Sequence, residues 1–201
     1  MPSDDEGRTP LTVVAVSGTL HRPSKTGLLV DAILTAIGEA ASADSRRVEA
    51  HTIELLDLAP ALAAALAPAR AIGPGPEPAL TEAFERVASA DILVVATPVY
   101  KGSYTGLLKL FVDFLGQDAL VERPVFLAAT GGSAAHSLVI EHELRPLFGF
   151  FRADTLPSGV YATGADFADG VVASDALLAT IRTAAARAVW VVTVRPTSSP
   201  E

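Results

Sequence analysis

Residues 11–26 read LTVVAVSGTLHRPSKT, and this stretch decides the fold class. Its first part, residues 11–16, is apolar at nearly every position and rich in valine, which is typical of a strand buried on both faces. A polar loop with one glycine follows, and apolar residues at helical spacing predict a helix over residues 26–37. A buried strand, a polar loop and a helix in this order are the repeating unit of an α/β domain.

The same order of strand and helix repeats along the rest of the chain. Further strands are predicted at 48–55, 92–96, 125–129 and 155–161, and further helices at 80–88, 105–116, 134–150 and 174–190. Residues 57–79 are rich in alanine and proline, and 73–78 read as an irregular loop. Five strands alternating with helices predict a doubly wound α/β domain, a five-stranded parallel sheet with the flavodoxin-like order 2-1-3-4-5. We expect one domain over residues 11–194, with disordered tails at 1–10 and 195–201.

Composition excludes several classes of chemistry. The 201 residues contain no cysteine, so disulfides, thiolate nucleophiles and cysteine-ligated iron–sulfur clusters are excluded. The four histidines form no HxxxH or HExxH pair, so no metal site is expected. The net charge of −8, from 15 basic and 23 acidic residues, argues against nucleic acid as a partner. No apolar run reaches the ~18 residues of a membrane span, and the chain starts with polar residues, so we expect a cytoplasmic protein with no membrane partner.

Unusual residues cluster directly after strands 1, 3 and 4, which are neighbours in the predicted order. Ligands of open α/β sheets bind outside the carboxyl ends of the strands, so we expect the three loops to share one site. The first loop combines a glycine turn, hydroxyl groups and cations at the start of a helix, which suits a phosphate group. Its candidate phosphate ligands are Ser17, Arg22, Ser24 and Thr26. The alternative is plain capping of the helix by Ser24 or Thr26.

The second and third loops suit the edges of a flat heterocycle. The second loop offers Pro98, Val99, Tyr100, Lys101, Gly102 and Ser103, and the third offers Thr130, Gly131, Gly132 and Ser133, with His136 just beyond it. The two glycines of the third loop let backbone approach a ligand closely. The alternatives are ordinary turns with surface tyrosines and, for Lys101, a solvated loop side chain. A hydrolytic Ser133–His136 pair is disfavoured because no GxSxG motif is present.

Together these loops resemble the NADPH-dependent FMN reductase family, in particular the branch that serves alkanesulfonate and methanesulfonate monooxygenases. The resemblance covers about residues 11–190. It rests on VVAVSGTLHRPSKT, VVATPVYKGSYTGLLKLFVDFLGQDAL, LAATGGSAAHSLVIEHELRPLFGFF and TLPSGVYATGADF.

The resemblance implies that FMN binds with its phosphate on the first loop and its ring and ribityl chain against the second and third loops. NADPH or NADH is the implied electron donor, and the sequence does not choose between them. It further implies an irregular helix near a subunit interface, where His142 takes the place of an inserted aromatic or histidine. A solvated helix histidine is the alternative for His142.

No protein side chain is expected to be catalytic, because hydride transfer is carried by the flavin. The expected function is NAD(P)H-dependent reduction of FMN for a partner monooxygenase of the sulfur-assimilation type. The alternatives are an FMN-bound quinone or azo reductase, a flavodoxin-type electron carrier, and a phosphate-ligand sensor without catalysis.

Two apolar segments predict a homodimer or homotetramer. Helix 105–116 is apolar around most of its circumference, and residues 144–151 repeat the pattern, whereas a helix that covers one sheet face keeps a wider polar side. The residues concerned are Leu107, Leu108, Leu110, Phe111, Val112, Phe114, Leu115, Leu144, Leu147, Phe148, Phe150 and Phe151. Deep burial within one subunit is the alternative.

Overall fold

The computed structural model describes residues 9–66 and 77–194. Most of the two predicted disordered tails, and most of the predicted loop at 73–78, therefore lie outside the described residues. The strands are β1 (Leu11–Ser17), β2 (Val48–Glu54), β3 (Ile92–Pro98), β4 (Pro124–Gly131), β5 (Asp154–Thr155), β6 (Val160–Thr163), β7 (Phe167–Ala168) and β8 (Val171–Val172). The α-helices are α1 (Lys25–Ala43), α2 (Leu55–Ala65), α3 (Pro78–Ser89), α4 (Gly106–Asp113), α5 (Arg145–Gly149) and α6 (Asp175–Val194).

The main sheet is parallel and has the order β2-β1-β3-β4-β5, with β6 also pairing with β4. This confirms the predicted doubly wound, flavodoxin-like fold. The predicted strand at 155–161 is wrong as one element, because it is split into β5 and β6 along the same edge of β4. Pro157, between the two, has no N–H to donate to a ladder. Gly159 passes so close to Ile140 that an added Cβ would lie 2.4 Å from Ile140 Cγ2.

The core lies on both faces of this sheet. On one face α1 and α6 pack side by side and bury Leu29, Ile33 and Ile181 against the strands. On the other face α2, α3, α4 and residues 139–151 cover the sheet, with Phe111 and Phe148 fully buried. Strands β1, β3 and β4 are buried on both faces, which explains why their sequences are apolar at almost every position.

Helices α1 and α6 are long and apolar enough to cross a membrane, judged by length and composition alone. Their most apolar windows have mean hydropathies of 1.3 and 1.4. Packing against the sheet accounts for this composition, since core helices of soluble proteins pass the same test. The absence of a membrane partner stays a prediction.

Two helical segments differ from the sequence-based expectation. Helix α2 begins at Leu55, the last residue of the predicted second strand, and continues into the alanine- and proline-rich stretch, where no helix is predicted; it contains Pro60. Its leucine and alanine residues favour helix strongly enough to outweigh one missing hydrogen bond, and Leu55, Ala61 and Leu62 are buried.

The continuous helix predicted at 134–150 is also wrong. A 3₁₀ turn (Ala134–His136), a π-helical segment (Ile140–Leu144) and α5 take its place. The N–H of Arg145 donates to the carbonyl of Ile140, the i to i−5 bond of a π-helix. Pro146 follows and has no N–H with which to restore the regular ladder. His142 lies in the middle of this irregular segment.

Candidate functional site

The loops after β1, β3 and β4 meet at one edge of the sheet and enclose a cleft of about 410 Å³. A fourth wall comes from the last residue of β6 and the glycine that follows it. The lining residues are Thr19, His21, Pro23, Ser24, Lys25, Thr26, Pro98, Val99, Tyr100, Thr130, Gly131, Gly132, Thr163 and Gly164. The predicted convergence of the three loops is therefore present, at the carboxyl ends of the parallel strands.

The first loop leads into α1, and the amino terminus of this helix lies at the cleft. Ser24 is the N-cap of this helix, and its hydroxyl accepts a hydrogen bond from the N–H of Gly27 at 3.0 Å. Capping and a ligand role are compatible here, because Ser24 and Thr26 both also line the cleft. The first amides of a helix have no partner within it and carry partial positive charge, and the first turn of α1 contains no acidic residue. This end of the cleft therefore favours an anion.

Arg22 does not line the cleft. Its guanidinium donates two hydrogen bonds, of 2.9 and 2.8 Å, to the carboxylate of Asp57 in the first turn of α2, and one nitrogen lies 3.7 Å from Glu54. The hydrogen bond to Asp57 raises the pKa of Arg22 and lowers the pKa of Asp57. The basic side chains that do line the cleft are His21 and Lys25, from the same loop. The role predicted for Arg22 stays a prediction.

Ser17 and Gly18 lie beneath the first loop, at the end of β1. Ser17 is fully buried, and its hydroxyl has no hydrogen-bond partner within the described chain. Gly18 is packed so tightly that an added Cβ would lie 3.2 Å from both Leu108 Cβ and Thr105 Oγ1. Thr105 in turn donates to the carbonyl of Gly18 at 2.8 Å and caps α4. The base of the first loop is thus held by the element that follows the second loop.

The second loop ends in a tight turn that places Lys101 and Gly102 at its centre. The backbones of Tyr100 and Ser103 exchange hydrogen bonds of 2.9 and 3.2 Å, and φ is 54° at Lys101 and 84° at Gly102. Positive φ at both central residues defines a type I′ turn. Pro98, Val99 and Tyr100 line the cleft, whereas Lys101, Gly102 and Ser103 lie beyond it.

The third loop is tied to the other two. Val99 donates its N–H to the carbonyl of Thr130 at 2.7 Å, and the hydroxyls of Thr130 and Thr26 share a buried hydrogen bond of 2.7 Å. These bonds fix Thr130 between the first and second loops.

The glycine-rich part of the third loop is covered by Tyr161. An added Cβ at Gly131 would lie 2.0 Å from the hydroxyl of Tyr161, which donates to the carbonyl of Ser133 at 2.7 Å. Burial raises the pKa of the Tyr161 hydroxyl. Gly131 and Gly132 line the cleft but Ser133 does not: its hydroxyl accepts from the N–H of Ala135 at 3.1 Å. The described contacts of Ser133 are therefore those of a turn-forming residue rather than a nucleophile.

The fourth wall, Thr163 and Gly164, was not predicted. Asp166 holds it, because its carboxylate accepts hydrogen bonds from the N–H and the hydroxyl of Thr163 at 2.7 and 2.8 Å. An added Cβ at Gly164 would lie 2.9 Å from Nζ of Lys25, so this glycine leaves room for the lysine. The sequence does carry a signal: residues 162–164 repeat the Ala-Thr-Gly of residues 129–131, at the end of the neighbouring strand.

Within residues 9–66 and 77–194, no group of three or more histidine, aspartate or glutamate side chains is arranged to hold a metal ion. The cleft is instead lined by a helix amino terminus, by two basic side chains, by glycine backbone and by a tyrosine. A doubly wound parallel sheet with a cleft of this kind defines the class of flavodoxin-like nucleotide-binding proteins.

The chain belongs to the NADPH-dependent FMN reductase family, whose sequence profile matches residues 11–168. It is 49% identical over 181 residues to an FMN reductase (NADPH) of Pseudomonas aeruginosa, with 90% of this chain and 91% of that protein covered. It is 50% identical over 180 residues to the NADH-dependent FMN reductase SfnF of Pseudomonas fluorescens, with 89% and 90% covered. An oxidoreductase structure from Corynebacterium diphtheriae superposes with a TM-score of 0.83 at 37% identity, over 93% of this chain and 99% of that chain.

Proposed function

We propose that this protein reduces FMN with NADH or NADPH and supplies the reduced flavin to a partner monooxygenase. One observation carries the proposal: the loops after β1, β3 and β4 form a single cleft that is lined both by the amino terminus of α1 and by glycine backbone. Membership of the FMN reductase family supports the same activity.

The residues at the α1 end fit the phosphate of FMN. The amides of the first turn of α1 and the hydroxyls of Ser24 and Thr26 supply hydrogen-bond donors, and Lys25 and His21 supply basic groups. The buried hydroxyl of Ser17, which lacks a partner among the described residues, lies at the base of this loop and fits a role in the same site. Arg22 reaches the phosphate only if it leaves Asp57.

The second and third loops fit the ring system. Pro98, Val99 and Tyr100 form one side, and the backbone of Gly131 and Gly132 forms another. Glycine backbone lets amides approach the edge of a flat heterocycle without steric obstruction. We assign Lys101, Gly102 and Ser103 to the outer rim, where they hold Tyr100 in position through the turn.

When bound, FMN would supply the redox chemistry, which is hydride transfer between the nicotinamide and the flavin. The protein would contribute binding and orientation: the first loop would hold the phosphate, and the second and third loops would hold the ring. Backbone amides of the second and third loops would stabilise negative charge on a bound flavin. No side chain of the cleft is assigned proton transfer.

Steady-state kinetics of the purified full chain tests this proposal. We expect oxidation of NADH or NADPH that depends on added FMN, with riboflavin and FAD used less efficiently because the site recognises a terminal phosphate. A protein that oxidises neither nicotinamide in the presence of FMN would refute the proposed function. A flavin that stays bound through purification and passes electrons to quinones or azo dyes would identify the alternative reductase activity.

We further propose a cytoplasmic homodimer or homotetramer. Much of the apolar surface of α4 and of residues 144–151 is used within the subunit, since Leu108, Phe111 and Phe148 are fully buried. Phe114 and Phe150 remain 37% and 67% exposed, and they are the residues that an interface would cover. A mass in solution equal to a single chain would contradict this assembly.

A further inference from the structure

A second, smaller cavity of about 160 Å³ lies beside the cleft. Gly102 of the second-loop turn forms one wall, and the segment after the third loop forms the other through Ala135, His136, His142 and Glu143. Both walls continue directly from the cleft, because Tyr100 and Gly132 line the cleft a few residues before Gly102 and Ala135. A ligand longer than a flavin ring can therefore extend from the cleft into this cavity.

The carboxylate of Glu143 is the charged acceptor of the cavity. One of its oxygens, Oε2, accepts a hydrogen bond from the hydroxyl of Ser103 at 2.9 Å, which fixes the side chain against the second loop. No lysine or arginine of the described residues forms an ion pair with it. Its other oxygen is therefore available to a ligand. In contrast, the carboxylate of the nearby Glu141 forms a salt bridge with Arg145.

We infer that this cavity receives the adenosine ribose of the nicotinamide donor, and that Glu143 selects NADH over NADPH. A carboxylate accepts hydrogen bonds from the 2′- and 3′-hydroxyls of a ribose, as in dinucleotide-binding folds generally, and its charge repels a 2′-phosphate. The imidazoles of His136 and His142 offer flat surfaces for the adenine beside it. This inference rests on the proposed function, since it names the donor for the same site.

The test compares Glu143→Gln with the wild type. Glutamine keeps one oxygen, which can accept from Ser103, and replaces the other by an NH2 group, from which a ribose hydroxyl can accept a hydrogen bond; the negative charge is removed. Two readouts are needed: calorimetric binding of 5′-AMP and of adenosine 2′,5′-bisphosphate to the full chain with FMN present, and kcat/KM for NADH and NADPH. We expect the wild type to favour 5′-AMP and NADH by about tenfold or more, the effect of one unfavourable like-charge contact. Glu143→Gln should improve binding of the bisphosphate and use of NADPH by about tenfold and leave 5′-AMP and NADH nearly unchanged.

Glu141→Gln is the matched control, because Glu141 lies on the same π-helical segment and faces Arg145 instead of the cavity. Arg145 keeps its bonds to Thr155 and to the carbonyls of Leu156 and Pro157, so the segment stays anchored. In this variant, the ratio of the affinities for 5′-AMP and the bisphosphate should stay at the wild-type value. The ratio of kcat/KM for NADH to kcat/KM for NADPH should do the same.

A wild-type enzyme that prefers NADPH would overturn the inference. So would a Glu143→Gln variant with the same preference between the two nucleotides as the wild type, or a Glu141→Gln variant that changes this preference as much as Glu143→Gln does. A change of oligomeric mass in Glu143→Gln with no change in nucleotide binding would also overturn it and make the cavity a contact between copies. Nucleotide binding can be measured without turnover. An enzyme that is inactive toward both nicotinamides would therefore refute the proposed function, while the binding measurement would still test the role of Glu143.

Discussion

At the scale of single residues, the two cations that flank Pro23 and Ser24 have different surroundings. Arg22 is held by Asp57, whereas Lys25 lines the cleft. Neighbouring positions of a loop point in different directions, so the sequence shows that cations are present but not which one faces the ligand. Asp57 is 35 residues away from Arg22 along the chain, and nothing in the first loop indicates that pairing.

We expect Lys25→Gln to weaken FMN binding about fivefold, or about 1 kcal/mol, because it removes a solvent-exposed charge beside the phosphate. Riboflavin, which has no phosphate, should bind equally well to the variant and the wild type. Fluorescence titration of both flavins provides the measurement. Arg22→Gln is the control and should change FMN affinity by no more than about twofold; a larger loss there than in Lys25→Gln would return Arg22 to the phosphate site.

A second residue-scale prediction concerns Gly102, whose φ of 84° is a conformation that side chains rarely adopt. An added Cβ would meet no atom within 4 Å, so only backbone strain is tested. Gly102→Ala should lower the free energy of unfolding by about 1–3 kcal/mol, measured by urea denaturation.

The control for Gly102 is Gly38→Ala, inside α1, where an added Cβ also meets no atom within 4 Å and no positive φ is needed. Alanine in a helix interior should instead stabilise the protein by about 0.5–1 kcal/mol. A neutral Gly102→Ala would show that the type I′ turn is not required.

At the scale of elements, the site depends on bonds between loops that are far apart in sequence. The hydroxyls of Thr26 and Thr130 join α1 to β4 in a buried position. Thr26→Val leaves the Thr130 hydroxyl buried without this partner, and we expect a loss of about 1–3 kcal/mol in the free energy of unfolding. The double variant with Thr130→Val should recover part of the loss, because it leaves neither hydroxyl unpaired. Additive losses in the double-mutant cycle would contradict this coupling.

The fourth wall provides a prediction on pH. Burial opposes ionisation of Asp166, but hydrogen bonds from Thr163 and Ser174 outweigh it, and the net effect lowers the pKa of Asp166. A lowered pKa in the folded state means that the stabilisation is present above the unfolded-state value of about 4 and is lost as the pH falls through the folded value.

Asp166→Asn should therefore lower the free energy of unfolding at pH 7 by about 1 kcal/mol, as for other lost caps. The difference from the wild type should shrink as the pH falls below about 4, which denaturant titrations at several pH values can measure. A difference that stays constant down to pH 3 would argue against the role of this carboxylate.

Sequence patterns predict some of these secondary-structure elements and not others. Strands such as β3 and β4 are predictable because burial on both faces makes almost every position apolar. The π-helical segment was not predictable from apolar spacing, because Ile140, Leu144 and Phe148 repeat every four residues as in a regular helix. The split of the last strand depends on Gly159 passing against Ile140, a contact that local sequence does not encode.

At the scale of the whole molecule, the order of the parallel strands creates the site. The order β2-β1-β3-β4 brings the ends of β1, β3 and β4 together, so three loops that are far apart in sequence line one cleft. This order predicts that the three loops line one cleft, and most of the residues that line the cleft belong to these loops. Thr163 and Gly164 do not follow from it, because they reach the cleft through the pairing of β6 with the end of β4, which local sequence does not show.

The most direct test of this account compares the dissociation constants of FMN and riboflavin for the purified full chain. The two ligands share their ring and ribityl chain and differ only in the phosphate, which the α1 end of the cleft is proposed to bind. We expect FMN to bind tighter than riboflavin by about tenfold or more, the range expected for hydrogen bonds to a charged group. Equal affinities for the two flavins, or no binding of either, would contradict it.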